Sequence, residues 1–341
     1  MGADEAAAVA EVLESGRLTM GPRVAEFEGE LARACEVEHA VAVSSGTAAL
    51  HLAVLALGLE PGDEVIVPAY TFPATANVVA LAGLKPVLVD VDPVTMNLDP
   101  AKVEPTRRTK AIVAVHLFGR PARLEALPAV TLIEDAAGAL GARRQGRACG
   151  GLGLMGCLSF HPRKIVTTGE GGAVTTNDAG FADDVRQLRH HGWKPPQLED
   201  LPAPGLNYRL SDILCAVGIP QIRRLEELLA ARERVAAGYG ERLAGLPLVL
   251  PGADAGDRHG WQAYVVQLDR RDEVLAALRA RGIEAQIGTY ALHRLSAYSD
   301  QGSFPGADAA YERALALPLH SRLTDSDLDR VAGALTSVVS E

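Results

Sequence analysis

Apolar and polar residues follow two periods along the 341 residues, and the places where one period gives way to the other predict the elements. Residues 4–14 and 24–35 repeat Ala, Val, Leu and Phe every three or four positions among Glu and Arg, which predicts two amphipathic helices. The breaker-rich run Gly16-Arg17-Leu18-Thr19-Met20-Gly21-Pro22 separates them. From residue 40 short apolar runs take over: 40–44, 64–67, 86–89, 111–115 and 131–134 read as strands. Helical stretches at 47–57, stopped by Gly58, and at 74–81 lie between the first of them. Strands apolar on both faces and separated by helices imply βαβ units and a mostly parallel sheet. Residues 157–160 and 173–176 add two strands, and 179–190 a helix. The polar, Pro-rich run 193–204 predicts an irregular excursion. Residues 210–229 read as mostly helical with a break or kink at Pro220, and 232–243 as another helix.

Pattern and composition change together at 247–260, a Pro/Gly/Asp stretch that reads as a linker. Beyond it come a strand at 262–268, a helix at 271–281, a loop carrying Tyr290 and His293, and a last helix at 325–338. The expectation is an α/β protein with a large domain at 1–246 and a small α+β domain at 247–341. The length suffices for two cores.

Charge narrows the partners. With 33 Lys and Arg against 43 Asp and Glu, the net charge is -10, so no nucleic-acid partner is expected. A local pocket could still hold an anion. No apolar run reaches the roughly 18 residues of a membrane span, and Met1 leads into Gly-Ala-Asp-Glu without the features of a secretory signal. Cys35, Cys149, Cys157 and Cys215 match neither a zinc spacing nor a disulfide framework. They read as buried free thiols, so a cytoplasmic protein with no metal site is expected.

Four loops at strand ends carry the candidate chemistry, where open α/β sheets place ligands. The first is Ser159-Phe160-His161-Pro162-Arg163-Lys164, followed by Gly169-Glu170-Gly171-Gly172. The chain has five lysines, and arginine carries almost all other basic charge. Unlike a guanidinium, a lysine amine can condense with an aldehyde once its pKa is lowered. A solvated loop lysine would look the same from this segment alone. The second is Ser44-Ser45-Gly46-Thr47-Ala48-Ala49-Leu50, a strand-to-helix turn whose first N–H groups and Thr47 hydroxyl could hold a phosphate. Plain capping by Ser45 or Thr47 competes with that reading. The third is Pro68-Ala69-Tyr70-Thr71-Phe72-Pro73-Ala74-Thr75, where an aromatic could cover a flat ring or simply join the core. The fourth is Glu134-Asp135-Ala136-Ala137. Its Asp135 could face a protonated ring nitrogen, cap a helix or join an ion pair. Phosphate cradle, aromatic, acid and amine together describe a site for pyridoxal 5'-phosphate (PLP).

These motifs, with Pro61-Gly62-Asp63-Glu64-Val65-Ile66-Val67-Pro68 and Asn207-Tyr208-Arg209-Leu210-Ser211-Asp212, occur in the order in which the chain resembles the DegT/DnrJ/EryC1/StrS family of PLP-dependent sugar aminotransferases. The resemblance runs from about Gly16 to the C-terminus and implies the type I aminotransferase fold. It implies that Lys164 condenses with PLP and that Asp135 pairs with the ring nitrogen. Thr47, Ala48 and Ser159 would hold the phosphate, with Asn207 reaching over from the second subunit of a homodimer, and Phe72 would stack on the ring. Thr19, Arg209, Tyr290 and His293 would face the substrate. It also implies an amino-acid donor, glutamate, and a nucleotide-linked keto sugar as acceptor. Members that carry histidine in place of the lysine perform a dehydration, and Lys164 argues against that branch. One departure stands out: members usually carry Gln or His three residues after the aspartate, near the phenolic oxygen of PLP, and this chain has Gly138.

Overall fold

Short runs of Val, Ile and Ala become strands because both of their faces are covered. The structure is a computed structural model and describes residues 1–194 and 201–339. Helices α1 (Ala3–Ser15) and α2 (Pro22–Cys35) precede β1 (His39–Val43). Then come α3 (Gly46–Ala56), β2 (Glu64–Pro68), the two-residue β3 (Tyr70–Thr71), α4 (Ala74–Leu81) and β4 (Lys85–Val89). Strands β5 (Thr109–Val115) and β6 (Thr131–Asp135) lead through a hairpin, β7 (Arg143–Arg144) and β8 (Arg147–Ala148), to β9 (Met155–Ser159) and β10 (Gly172–Thr176). Helices α5 (Ala179–Arg189), α6 (Asp212–Arg223) and α7 (Leu225–Leu243) follow.

Seven strands form one sheet in the order β1-β10-β9-β6-β5-β2-β4. It is mostly parallel, as expected; β10 alone runs antiparallel to its neighbours. Alternate residues of β1 enter different cores, as a pleated strand requires. Val41 and Val43 join one core with α3 and α5, while Ala40 and Ala42 join another with α2 and α6.

The remaining elements are β11 (Tyr264–Gln267), α8 (Arg271–Ala280), β12 (Gln286–Ile287), β13 (Tyr290–Ala291), α9 (Pro305–Arg313), β14 (Ala314–Leu317) and α10 (Asp325–Val339). Strands β11, β14 and β12 make a small sheet. Its core takes in Tyr264, Val266, Leu315 and Leu335, and also Val235, Tyr239 and Leu243 of α7. The pattern of α9 and β14 was not legible in the sequence. The stretch 247–260 is pinned, with Asp254 pairing Arg120, Arg123 and Arg144 and Asp257 pairing Arg144.

The helix boundary near Pro220 differs from expectation. α6 runs through Pro220 to Arg223 and stops at Arg224, whose φ of -110° and ψ of 27° are not helical. A new helix starts at once and is continuous through 229–232. An interior proline costs about 3 kcal/mol. Burial of Ile219 and Ile222 on either side of Pro220 offsets that cost and carries the helix one further turn. The excursion expected at 193–204 falls in part on residues 195–200, outside the described residues. All four cysteines are free and buried. No described helix is long and apolar enough to cross a membrane.

Candidate active site

One end of the large sheet gathers most of the predicted residues. Gly172, at the start of β10, pairs with Val43 at the end of β1 and with Ser159 at the end of β9. Asp135 closes β6 and pairs with Cys157, two residues before Ser159. The parallel strands therefore bring the Thr47, Ser159, Lys164 and Asp135 loops to the same end of the sheet.

α3 begins there. Ser45 is its N-cap, and its Oγ accepts from the N–H of Ala48 at 3.0 Å. This leaves the N–H groups of Gly46 and Thr47 without a partner among the described residues. They point out of the positive end of a helix, which favours an anion. Two glycines make the cradle tight. A Cβ on Gly46 would lie 2.8 Å from the Cβ of Ser159, and one on Gly172 would lie 2.7 Å from the N of Gly46 and overlap the carbonyl oxygen of Ser45. Thr47 is exposed.

Asp135 is only 6% exposed. Its Oδ2 accepts from Thr75 Oγ1 at 2.8 Å and its Oδ1 from the N–H of Ala137 at 3.2 Å. Thr75 is fully buried in the first turn of α4 and lies 3.3 Å from the hydroxyl of Thr71. Lys164 is partly exposed as a residue, but burial of its amine pushes its pKa down. The carboxylate of Asp135 opposes that shift and Arg163 adds to it. Lys164 and Asp135 feel each other's charge without forming an ion pair, and Lys164 Nζ has no hydrogen-bond partner among the described residues. An amine with no fixed partner and a lowered pKa is available for chemistry.

Glu134 plays a different part from its neighbour. Successive strand residues point to opposite faces, and Glu134 accepts from the N–H groups of Gly150 at 2.7 Å, Leu152 at 2.6 Å and Gly153 at 2.7 Å. His116 Nε2 lies 2.9 Å from it. Because His116 Nδ1 accepts from the N–H of Ala122, Nε2 is the nitrogen that donates to Glu134. Glu134 thus closes a turn and does not face the opening.

β3 and β13 pair Thr71 with Tyr290, which sets Phe72 beside Tyr290 with ring centroids 6.3 Å apart. Phe72 is 61% exposed, unusual for an aromatic with no partner to cover. Arg209 bridges to Val43 through the backbone, and its Nη1 lies 2.8 Å from His190 Nδ1. Burial and the Arg209 charge hold His190 below the usual histidine range. Asn207 is exposed and its backbone bridges to His190. Thr19 bridges to Ser211, in a loop tied down by the N–H of Gly21 on Asp212 Oδ2 at 2.7 Å. His293 is turned elsewhere: its Nε2 meets Asp308 Oδ1 at 3.0 Å and its ring packs on Phe304. Sequence reading missed Thr75, whose only signal was its place four residues after Thr71.

A model of the DegT/DnrJ/EryC1/StrS aminotransferase family matches residues 1–336. The chain belongs to that family. It is 42% identical over 338 residues to a GDP-perosamine synthase of Caulobacter vibrioides, covering 94% of this chain and 91% of that protein. The crystal structure of DesI in the presence of its TDP-sugar product superposes with a TM-score of 0.93 at 35% identity, over 99% of this chain and 90% of that one. A sugar-aminotransferase structure from Streptococcus pneumoniae in its PLP form gives a TM-score of 0.93 at 27% identity, over 100% and 97%. The protein is a PLP-dependent enzyme of the sugar aminotransferase family. The residues fit PLP on their own geometry: a glycine-narrowed anion cradle, a buried carboxylate and an unpartnered amine share one end of the sheet.

Proposed function

We propose that this enzyme transfers an amino group from an amino acid, glutamate, to the keto carbon of a nucleoside-diphosphate-linked sugar, at the site built by Lys164 and Asp135. The observation that carries this reading is the desolvated, unpartnered amine of Lys164 set near the buried carboxylate of Asp135. PLP bound there supplies a conjugated ring that accepts the electron pair left when the Cα proton is removed. Lys164 Nζ takes that proton from one carbon and delivers it to another, which its lowered pKa favours. Asp135, oriented by its bonds from Thr75 and Ala137, would face the ring nitrogen of PLP and pair with it. The N–H groups of Gly46 and Thr47, with Ser159, hold the phosphate, whereas the N–H of Ala48, expected there from the sequence, is taken up by Ser45 Oγ. Phe72 covers one ring face and excludes water from it. The donor leaves as its 2-oxo acid, oxidised by two electrons, and the keto sugar is reduced to the amine by the same two. Ping-pong kinetics follow from the two halves.

Arg209 and the exposed Thr19 and Tyr290 would meet the sugar nucleotide. His293, engaged with Asp308, is the weakest of the substrate-side residues. The exposed Asn207 completes the phosphate site of a second copy in a homodimer. Support for a sugar nucleotide comes from the relatives named GDP-perosamine synthase and the structure with a TDP-sugar product. The test is incubation with glutamate and a panel of nucleotide-linked keto sugars, read by mass spectrometry. An amino sugar with loss of the keto mass supports the reading, and a dehydrated product or none overturns it. Lys164→Ala should lose the visible absorbance of the PLP-loaded protein and reduce turnover by several orders of magnitude.

A further inference from the structure

Gly138 ends the turn that follows Asp135, and its φ does not demand glycine. A Cβ placed there would run into the side chain of Gln262, 3.3 Å from Oε1 and 3.4 Å from Cγ. The Nε2 of the same side chain lies 3.5 Å from the carbonyl oxygen of Arg163, the residue before Lys164. One amide therefore touches the loop that carries the acid and the loop that carries the amine. Its only protein hydrogen bond among the described residues is that long one, and Oε1 has none.

The backbone beneath it is held hard. The N–H of Gln262 donates to the carbonyl of Phe118 at 3.1 Å. Arg232 Nη1 donates to the carbonyls of Trp261 at 2.9 Å and of Gln262 at 3.2 Å. The N–H of Trp261 donates to Nδ1 of the buried His259 at 2.8 Å, and the two rings stack at 4.1 Å. Trp261 has a φ of 49° and Phe118 a φ of 58°, left-handed conformations that bulky residues rarely adopt. Gly119 lets these strands of chain meet: a Cβ on it would lie 3.0 Å from the N of Trp261 and 3.1 Å from that of Gln262. Strain kept in place by this many contacts marks a position that the fold specifies, yet the amide it presents is nearly unused.

We infer that Gln262 is a cofactor-binding residue whose side-chain amide donates a hydrogen bond to the 3-oxygen of PLP. This rests on the placement of PLP proposed above. PLP carries three polar groups besides its aldehyde: the ring nitrogen, the phosphate arm on one neighbour of the aldehyde-bearing carbon, and the 3-oxygen on the other. Asp135 and the Thr47–Ser159 cradle account for the first two. The 3-oxygen then lies beside the carbon that meets Lys164, on the side away from the phosphate. Sheet order sets the sides. Ser159 ends β9 on one side of β6, and Phe118, whose carbonyl accepts from the N–H of Gln262, follows β5 on the other. Gln262 thus approaches from the side opposite the phosphate cradle, through the space that Gly138 leaves open.

The experiment is an absorbance titration against pH of the PLP-loaded protein, together with its PLP dissociation constant by equilibrium dialysis. A donor on the 3-oxygen spreads its negative charge and loosens the neighbouring proton shared with the Lys164 nitrogen. Gln262→Leu should therefore move the titration midpoint up by about one pH unit and weaken PLP binding by about tenfold, as loss of a hydrogen bond to a charged oxygen predicts. Adding Gly138→Gln to Gln262→Ala returns an amide to the same space and should bring the midpoint back. If Gln262→Leu does not fold, Gly138→Ala presses the amide aside and should give a smaller upward shift. A normal visible band whose midpoint and affinity are unmoved in Gln262→Leu, or in Gly138→Ala where that stands in for it, overturns the inference alone. A wild-type protein with no visible band in PLP overturns the Lys164 assignment and this inference with it.

Discussion

At single positions, the environment separates side chains that look alike in the sequence. Glu134 and Asp135 are adjacent carboxylates, both buried. Three backbone N–H groups and His116 saturate Glu134, whereas Asp135 has one side-chain donor, Thr75. A buried carboxylate that loses a donor is costly, about 1.5–3 kcal/mol for a bond to a charged group. Thr75→Val should therefore destabilise the PLP-free protein by about 2 kcal/mol in urea unfolding, and PLP should restore much of the loss by presenting a cation to Asp135. Equal unfolding midpoints for variant and parent without PLP would remove Thr75 from this account. Lys164 was legible as chemistry because lysine is so rare in the chain. Thr75 was not, because a hydroxyl declares its partner only when the fold brings one within reach.

The elements act through where they end. The cradle exists because β1 and β9 end, and β10 begins, within van der Waals contact, and glycine at 46 and 172 is what permits it. Gly172→Ala would drive a Cβ into the backbone of Ser45 and Gly46, where nothing flexible can yield. An overpacking cost of about 1–3 kcal/mol is expected, with a fall in PLP affinity larger than the fall in thermal stability would explain. Calorimetric melting beside PLP titration checks this; a stable variant with parental affinity would show that the strand ends can part without harm to the cradle. Periodicity found the strands because their two-sided burial leaves only apolar residues. It misjudged the helix break at Pro220 because propensity is local, while the packing of Ile219 and Ile222 that carries α6 onward is not. It also gave no sign of β13, two residues whose strand state comes from pairing with β3.

Across the molecule, the stretch that reads as a linker works as a clasp. Asp254 accepts from Arg123 Nε at 2.7 Å and from Arg120 Nη2 and Arg144 Nη1 at 3.1 Å each. Arg123, then Arg144 and Arg120, outweigh burial and hold its carboxyl far below the usual aspartate range. A depressed carboxylate pKa adds stability that is complete above the unfolded value of about 3.9 and fades as pH falls from there towards the folded value. Asp254→Asn should cost about 1–3 kcal/mol at pH 7, and the variant should lose less stability than the parent between pH 4 and pH 2. Chemical denaturation at the two pH values measures both, and parallel acid profiles would show that the three arginines are equally well solvated without it.

The chemistry was readable in the residues themselves: an amine, an acid, a glycine-rich turn and their order between apolar strands need no partners to be recognised. Which of them meet was settled by folding, since sheet order places β9 and β5 on either side of β6 and so gives the opening two walls. Gln262 lies 124 positions after Gly138 in the chain (262 − 138), and Thr75 lies 60 before Asp135. Hydrophobic period reports the burial of single residues, but contacts at such separation arise only when loops from several strands close over one end of the sheet.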